Sequence, residues 1–202
     1  MPLTALGINC TLKPSPAASS CEKLLGQVAE ELRRLGVTCD LVRAVDHAIA
    51  PGVTSDEGPG DEWPALRRRV LAADILILGT PIWLGHPSSV CQRVLERMDA
   101  FLGELDDGGR MAPYGRVAGV AVVGNEDGAH HVSAELFQAL NDVGFTLPAS
   151  AVTYWVGEAM HKTDFQDLPA TPKKTAQATR ELALNCVHLA RLLQASPYPP
   201  RE

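Results

Sequence analysis

The chain has 202 residues, of which 46% are hydrophobic, and this composition predicts one domain with a substantial core. Acidic residues outnumber basic ones by 24 to 18, and the basic residues are scattered, so the basic stripe of a nucleic-acid binder is missing. No apolar run approaches the ~20 residues that span a bilayer, and no signal peptide or lipidation motif is evident. We therefore expect a cytoplasmic protein that binds neither nucleic acid nor membrane.

Cysteine and histidine spacing argues against a metal site. The chain has five cysteines, an odd number, and none of them forms the closely spaced pair of a zinc site or a redox dithiol. We therefore expect reduced thiols. His130 and His131 are adjacent and cannot share one face of a helix or strand. We therefore expect no metal ion.

Strand and helix patterns alternate along the chain. Strands are predicted over 3–9, 37–43, 75–78, 117–123 and 147–156, and Gly79-Thr80-Pro81 is expected to end the third. Apolar residues at helical spacing predict helices over about 20–35, 63–71, 90–102, 132–143 and 172–193. Residues 1–195 are interpreted as one domain and 196–202 as a Pro-rich tail.

This alternation predicts a doubly wound α/β fold, in which helices cover both faces of a parallel sheet and form a three-layer α/β/α sandwich. Ligands of such sheets bind beyond the carboxyl ends of the strands, where the strand order reverses. The loops after the first, third and fourth predicted strands are therefore the candidate site.

The first of these loops leads from a strand into a helix N-terminus, where free backbone N–H groups and the helix dipole favour an anion. Its candidate ligands are Thr11, Lys13, Ser19, Ser20 and Cys21. The loop lacks the G-x-x-x-x-G-K-[ST] and G-x-G-x-x-G patterns, so a monoester phosphate fits better than a pyrophosphate. The alternative is an ordinary loop in which Ser19 or Ser20 only caps the helix.

The second and third loops offer an apolar ledge and polar groups. The candidate residues of the second loop are Pro81, Ile82, Trp83, Leu84 and Gly85, which would border a flat aromatic ligand. Those of the third loop are Gly124, Asn125, Glu126, Asp127, Gly128 and His130. As alternatives, Trp83 and Leu84 pack under a helix or at a dimer contact, and Asn125 and Asp127 only cap the next helix.

Together the loops resemble the flavodoxin-like superfamily, and most closely its NAD(P)H-dependent FMN reductases, over essentially the whole chain. The family's P-I-Y-x-G-x-P-S motif corresponds to residues 81–88, with Trp83 in place of Tyr, and its G-x-x-x-G to residues 124–128. In its S-x-[RK] … S-[NS]-T phosphate loop, Thr11 replaces the first serine and Cys21 the threonine. The insertion that carries Pro14 and Pro16, together with Cys21, leads us to expect a modest affinity for FMN.

The resemblance implies a five-stranded parallel sheet of order 2-1-3-4-5 and FMN as cofactor. NAD(P)H would donate hydride to the flavin, which passes electrons to a small acceptor such as a quinone or a free flavin, without a catalytic side chain. It also implies a homodimer or homotetramer with contacts at the third and fourth helices. Two alternatives stay open: an electron carrier of the flavodoxin type without NAD(P)H activity, and a flavin-free relative that binds another phosphate or acts as an interaction module.

Overall fold

A computed structural model describes residues 2–159 and 161–201. The strands are β1 (Thr4–Asn9), β2 (Thr38–Arg43), β3 (Ile75–Trp83), β4 (His86–Pro87), β5 (Val117–Gly124) and β6 (Val152–Val156). The α-helices are α1 (Ser20–Arg34), α2 (Trp63–Ala72), α3 (Ser89–Met98), α4 (Ala129–Asp142) and α5 (Lys173–Ala195). Strand and helix therefore alternate as the sequence pattern predicts.

The main sheet is parallel and has the order β2-β1-β3-β5-β6, with the two-residue β4 paired antiparallel to the end of β3. Helices α1 and α5 pack on one face of the sheet, and α2, α3 and α4 pack on the other. The predicted three-layer α/β/α sandwich is confirmed. The predicted order 2-1-3-4-5 is also confirmed once β4, which the sequence pattern did not indicate, is set aside.

The prediction that Gly79-Thr80-Pro81 ends the third strand is wrong, because β3 runs on to Trp83. The carbonyl of Gly79 accepts a hydrogen bond from the N–H of Cys10, so the polar backbone groups of Gly79 point toward β1. The backbone nitrogen of Pro81, two residues further on, points toward the same side of β3. The pairing of β1 with β3 stops at Gly79, so no strand lies beside Pro81 on that side. The N–H that proline lacks would therefore have had no partner in the sheet.

Two other predicted elements differ in length. The last strand begins at Val152 rather than at residue 147, and Ser150, just before it, has a left-handed backbone with φ of 54°. Helix α3 ends at Met98, and Asp99–Leu102 form a 3-10 turn whose tighter winding still buries Phe101. Neither change moves the loops at the carboxyl edge of the sheet.

Helix α1 approaches the sheet closely because glycines lie beneath it. A Cβ on Gly79 would come within 2.5 Å of Leu25 Cδ1 and 3.0 Å of Cys21 Sγ. A side chain at this position would force Leu25 to shift, whereas glycine permits the approach as it stands. The helix therefore begins directly beside the carboxyl ends of β1 and β3.

A buried ion pair anchors the long loop between β2 and α2. The side chains of Arg97 and Asp61 are 0% and 1% exposed, and the Arg97 Nη2 atom lies 2.7 Å from Asp61 Oδ2. Arg97 also donates hydrogen bonds to the carbonyl oxygens of Ala50 and Thr54. One guanidinium thus satisfies two carbonyl groups of this irregular segment and the carboxylate of Asp61.

The C-terminal residues fold back onto the connection between α3 and β5. The N–H of Arg201 donates to the carbonyl of Gly108 at 2.7 Å, and Arg110 donates to the carbonyl of Tyr198. The rings of Tyr114 and Tyr198 are 5.5 Å apart between centroids.

Among residues 2–159 and 161–201, no helix is both long and apolar enough to cross a membrane.

We predict that Asp61→Asn lowers the free energy of unfolding by about 3–5 kcal/mol, because it leaves the Arg97 charge buried without a counter-ion. Burial alone would raise the pKa of Asp61, but hydrogen bonds from Arg97 and from backbone N–H groups outweigh it and hold the pKa well below its usual range. The carboxylate therefore stabilises the fold above its unfolded pKa of about 3.9, and this contribution is lost as the pH falls below that value.

Urea unfolding measured from pH 7 to pH 2.5 tests both parts. The exposed Asp107→Asn is the matched control and should change stability by no more than about 0.5 kcal/mol. The Asp61→Asn variant should also lose less stability than the parent chain over the acid range. Equal effects of the two substitutions would contradict the structural role of the pair.

Candidate functional site

A cleft of about 470 Å³ opens at the carboxyl edge of the sheet, at the strand-order reversal where the fold rule predicts a ligand. It lies among the loops that follow β1, β3, β5 and β6. The predicted site residues that line it are Thr11, Lys13, Ser19, Ser20, Cys21, Pro81, Ile82, Trp83, Leu84, Gly124, Asn125 and Glu126. The structure therefore brings all three predicted loops to one crevice.

One end of the cleft is formed by the N-terminus of α1. In the described part of the chain, the backbone N–H groups of Ser20 and Cys21 have no hydrogen-bond acceptor. Ser19 is the N-cap, and its side chain accepts from the N–H of Glu22 at 3.2 Å. The capping alternative is thus realised, yet two N–H donors still face an anion site beside the Thr11 and Ser19 hydroxyls.

Cys21 contributes its backbone rather than its thiol. Its Sγ atom lies against the position that a Cβ on Gly79 would occupy, so the side chain points toward β3. Burial raises the pKa of the Cys21 thiol well above its usual range, so the thiol stays neutral. Compared with the threonine that the resemblance implies at this position, Cys21 lacks a hydroxyl but keeps the backbone N–H.

A buried arginine that sequence reasoning missed shapes the loop after β1. Arg43, the last residue of β2, donates from Nη1 to the carbonyl oxygens of Lys13 at 3.0 Å and Ala17 at 2.9 Å. Its Nη2 lies 2.5 Å from a carboxylate oxygen of Glu22 on α1. The guanidinium thus ties both ends of the insertion to the sheet and to α1, whose N-terminus forms one end of the cleft.

The second wall is a narrow strap, residues 83–86, that crosses from β3 to β4. Trp83 is 53% exposed and Leu84 is 89% exposed, so neither packs under a helix of this chain. Leu84 has a positive φ of 52°, and its N–H donates to a Glu126 carboxylate oxygen at 2.8 Å. That N–H is therefore not free for a ligand, and Glu126 acts as a bridge between the two loops.

Four predicted residues do not line the cleft. Gly85, Asp127, Gly128 and His130 lie outside its lining. Gly128 instead packs against the strap, because a Cβ there would lie 2.9 Å from the Cα of Gly85. The His130 ring lies across from Tyr154, with Nε2 and the hydroxyl 3.2 Å apart.

The third wall comes from β6 and the connection after it. Trp155 and Asp164 line the cleft, and Asn125 donates to an Asp164 carboxylate oxygen at 2.6 Å. Lys23 on α1 holds this connection by donating to three carbonyl oxygens, each at 3.1 Å. Sequence reasoning missed Trp155 and Asp164, although the strand-end rule, extended to the last strand, would have indicated them.

These residues fit a flavin phosphate. The unpaired N–H groups at α1 suit a phosphate monoester, and Trp83 and Trp155 offer flat aromatic surface. A Cβ on Gly124 would lie 2.8 Å from Ile82 Cβ, so its backbone packs directly against the opposite loop. The cavity is also in the range of about 300–1,000 Å³ that small-molecule sites occupy.

Comparison with known proteins identifies the family. Residues 3–161 match the family model described as NADPH-dependent FMN reductase. The chain belongs to this family. The predicted membership of the NAD(P)H-dependent FMN reductases is therefore confirmed, and the chain is a member of a family of flavin-related enzymes.

Two curated relatives extend along nearly all of the chain. The chain is 33% identical over 209 residues to 8-demethyl-8-aminoriboflavin-5'-phosphate synthase of Streptomyces davaonensis, covering 98% of this chain and 81% of that protein. It is 42% identical over 201 residues to a divalent metal cation transporter of Mycobacterium bovis, covering 96% of this chain. It spans only 29% of the length of that relative.

Solved structures agree with the fold. The crystal structure of RosB with its bound intermediate 8-demethyl-8-formylriboflavin-5'-phosphate superimposes with a TM-score of 0.88 at 33% identity, covering 97% of this chain and 82% of that one. A flavodoxin-like WrbA-like protein from Agrobacterium tumefaciens has a TM-score of 0.61 at 15% identity, covering 95% of this chain and 99% of that one. The second likeness shows the fold alone.

We predict that Gly128→Ala destabilises the protein by more than about 1–3 kcal/mol, the usual range for strain at a positive φ. Its φ is 120°, and the added Cβ would also press on the backbone of Gly85. Gly58→Ala is the matched control, because Gly58 has φ of 101° and a methyl group added there would meet nothing within 4 Å. Thermal unfolding measures both, and equal shifts would contradict a tight contact between the two loops.

Proposed function

We propose that this chain binds FMN in the cleft and uses it to pass electrons from NAD(P)H to a small acceptor such as a quinone or a free flavin. The observation that carries the proposal is the pair of unpartnered N–H groups at α1, at one end of a cleft lined by tryptophan. FMN, when bound, supplies the redox chemistry, and the protein supplies binding and orientation.

Each wall has its own part in binding. The N–H groups of Ser20 and Cys21 and the hydroxyls of Thr11 and Ser19 would hold the phosphate, with Lys13 adding positive charge at the rim. Pro81 to Leu84 and the Gly124-Asn125 segment would border the ring system. No acid or base on the protein is required, because the chain's task is to hold the ring and leave one side open to a second substrate.

A flavodoxin-type carrier is less well supported. Carriers dock electrostatically on protein partners, and this calls for charge of one sign around the site. The cleft here is lined by Lys13 and His161 as well as by Glu126 and Asp164. This mixture favours a small-molecule reaction over a protein partner.

A second candidate function is the chemical conversion of FMN itself. The relative from Streptomyces davaonensis is named as a synthase of an aminoriboflavin phosphate, and the structure of RosB holds a formylriboflavin phosphate intermediate. Its 33% identity is well above the 15% of the WrbA-like protein. FMN would then be a substrate that leaves the cleft changed, rather than a cofactor that is regenerated.

The deciding experiment loads the purified protein with FMN and adds NADPH or NADH without oxygen. Rapid loss of the flavin absorbance band, restored by a quinone, is expected for a reductase. Persistence of the band with both donors would overturn the NAD(P)H part of the proposal. Mass spectrometry of the flavin released after aerobic turnover separates the candidates, because a cofactor returns as FMN and a substrate returns with a new mass.

We predict that FMN binds at least ~10-fold more tightly than riboflavin, since charge-assisted hydrogen bonds to phosphate contribute about 1.5–3 kcal/mol each. Arg43→Met should reduce this preference about 10-fold or more, because it releases the carbonyls of Lys13 and Ala17 and loosens the loop. Quenching of flavin fluorescence measures both affinities.

The control for this variant is Arg68→Met, which removes an exposed arginine from α2. It should leave the ratio of FMN to riboflavin affinity unchanged. An equal affinity for the two flavins in the parent chain would refute a phosphate site at α1.

A further inference from the structure

We propose a second binding site, distinct from the flavin cleft, in which His86, His131 and Glu135 hold a divalent transition-metal ion such as Zn²⁺. His86 Nδ1 lies 3.1 Å from Glu135 Oε1, and His131 Nε2 lies 2.9 Å from the same oxygen. One ligand atom from each residue falls within 4.8 Å of the other two. None of the three residues lines the flavin cleft.

The two nitrogen–oxygen separations are close to those between ligands around one ion, while the two imidazole nitrogens lie within 4.8 Å of each other. Zinc binds imidazole nitrogen and carboxylate oxygen at ~2.0–2.2 Å, so two ligands lie about 3.3 Å apart in a tetrahedral site and about 2.9 Å apart at right angles. The two measured nitrogen–oxygen separations, 3.1 and 2.9 Å, are within a few tenths of these values. Small rotations of the side chains would therefore admit an ion.

The backbone holds the ligands in place from two elements. His131 and Glu135 are one turn apart on α4 and so share a face of the helix. His86 is fixed by β4, where it pairs with Trp83. The His86 and His131 rings meet edge to face, with centroids 5.0 Å apart and an interplanar angle of 73°. The cluster thus comes from the fold and not from neighbours in sequence.

The ligand set selects the class of metal. Two imidazoles and one carboxylate suit Zn²⁺, Fe²⁺, Co²⁺ and Ni²⁺, whereas Ca²⁺ and Mg²⁺ prefer oxygen ligands. The His86 and His131 side chains are 61% and 56% exposed, and Glu135 is 35% exposed. Water can therefore reach the ion and fill the remaining positions, as in zinc sites with three protein ligands.

The site would join two elements that border the flavin cleft. His86 follows directly on the Trp83–Gly85 segment, and α4 follows on the Asn125–Gly128 loop. An ion held between them would fix the strap against α4. The ion itself would face the groove between α3 and α4, which the same three residues help to line.

The test titrates the whole 202-residue chain, treated with a chelator, with Zn²⁺ by calorimetry and with Co²⁺ by visible absorption. One ion per chain and a cobalt d–d band are expected. His131→Ala and Glu135→Gln should each weaken Zn²⁺ affinity at least ~10-fold, and His86→Ala should do the same. His188→Ala removes an exposed histidine from α5 and is the matched control, with no expected change.

Circular dichroism of each variant is the control for folding, so that a loss of metal binding can be told apart from a loss of structure. His86 and His131 lie on different elements, which makes parallel loss in both variants specific for a shared ion. No saturable binding in the parent chain, or equal weakening by His188→Ala, would overturn the proposal and leave a Glu135 carboxylate hydrogen-bonded to two imidazoles.

Discussion

The candidate site depends on the close approach of α1 to the sheet. A Cβ at Gly79 would lie 2.5 Å from Leu25 Cδ1 and 2.7 Å from its Cγ, so glycine at this position lets α1 lie close to the sheet. Because the helix lies so near, its first turn begins at the edge where β1 and β3 end, and its dipole points into the cleft. Every other feature of the site, including the loop walls and the lysine that holds the third wall, is arranged around this fixed helix end.

Buried guanidinium groups organise the segments that have no regular structure. Arg97 holds the loop between β2 and α2 in place, and Arg43 does the same for the loop after β1. Each guanidinium donates to backbone carbonyl oxygens and pairs with a carboxylate. A planar group with several fixed donors can satisfy two backbone carbonyl oxygens and a carboxylate at once. The fold thus buries charge where the backbone would otherwise be unsatisfied.

The sequence was sufficient for the fold and for most of the cleft lining, because hydrophobic periodicity fixes the elements and parallel strands bring their carboxyl ends together. Pro81 made the predicted end of β3 too early. A proline interrupts a strand only where a neighbouring strand needs its N–H, and β1 no longer pairs with β3 at Pro81. Trp155 and Asp164 were missed because the strand-end rule was applied to three loops and not to the last strand, and the contacts that hold the connection after β6, such as those of Lys23 and Asn125, are remote in sequence. His131 was weighed only against its neighbour His130, while the fold brings it to His86 and Glu135.

All five cysteines are buried and unpaired with one another. Desolvation raises the pKa of the Cys39 thiol to about 11, and it raises those of Cys10 and Cys186 as well. Thiolate is the form that peroxides and alkylating agents attack, so these sulfurs are shielded both sterically and chemically. Burial therefore keeps the thiols of Cys10, Cys39 and Cys186 out of contact with oxidants in the surrounding solvent.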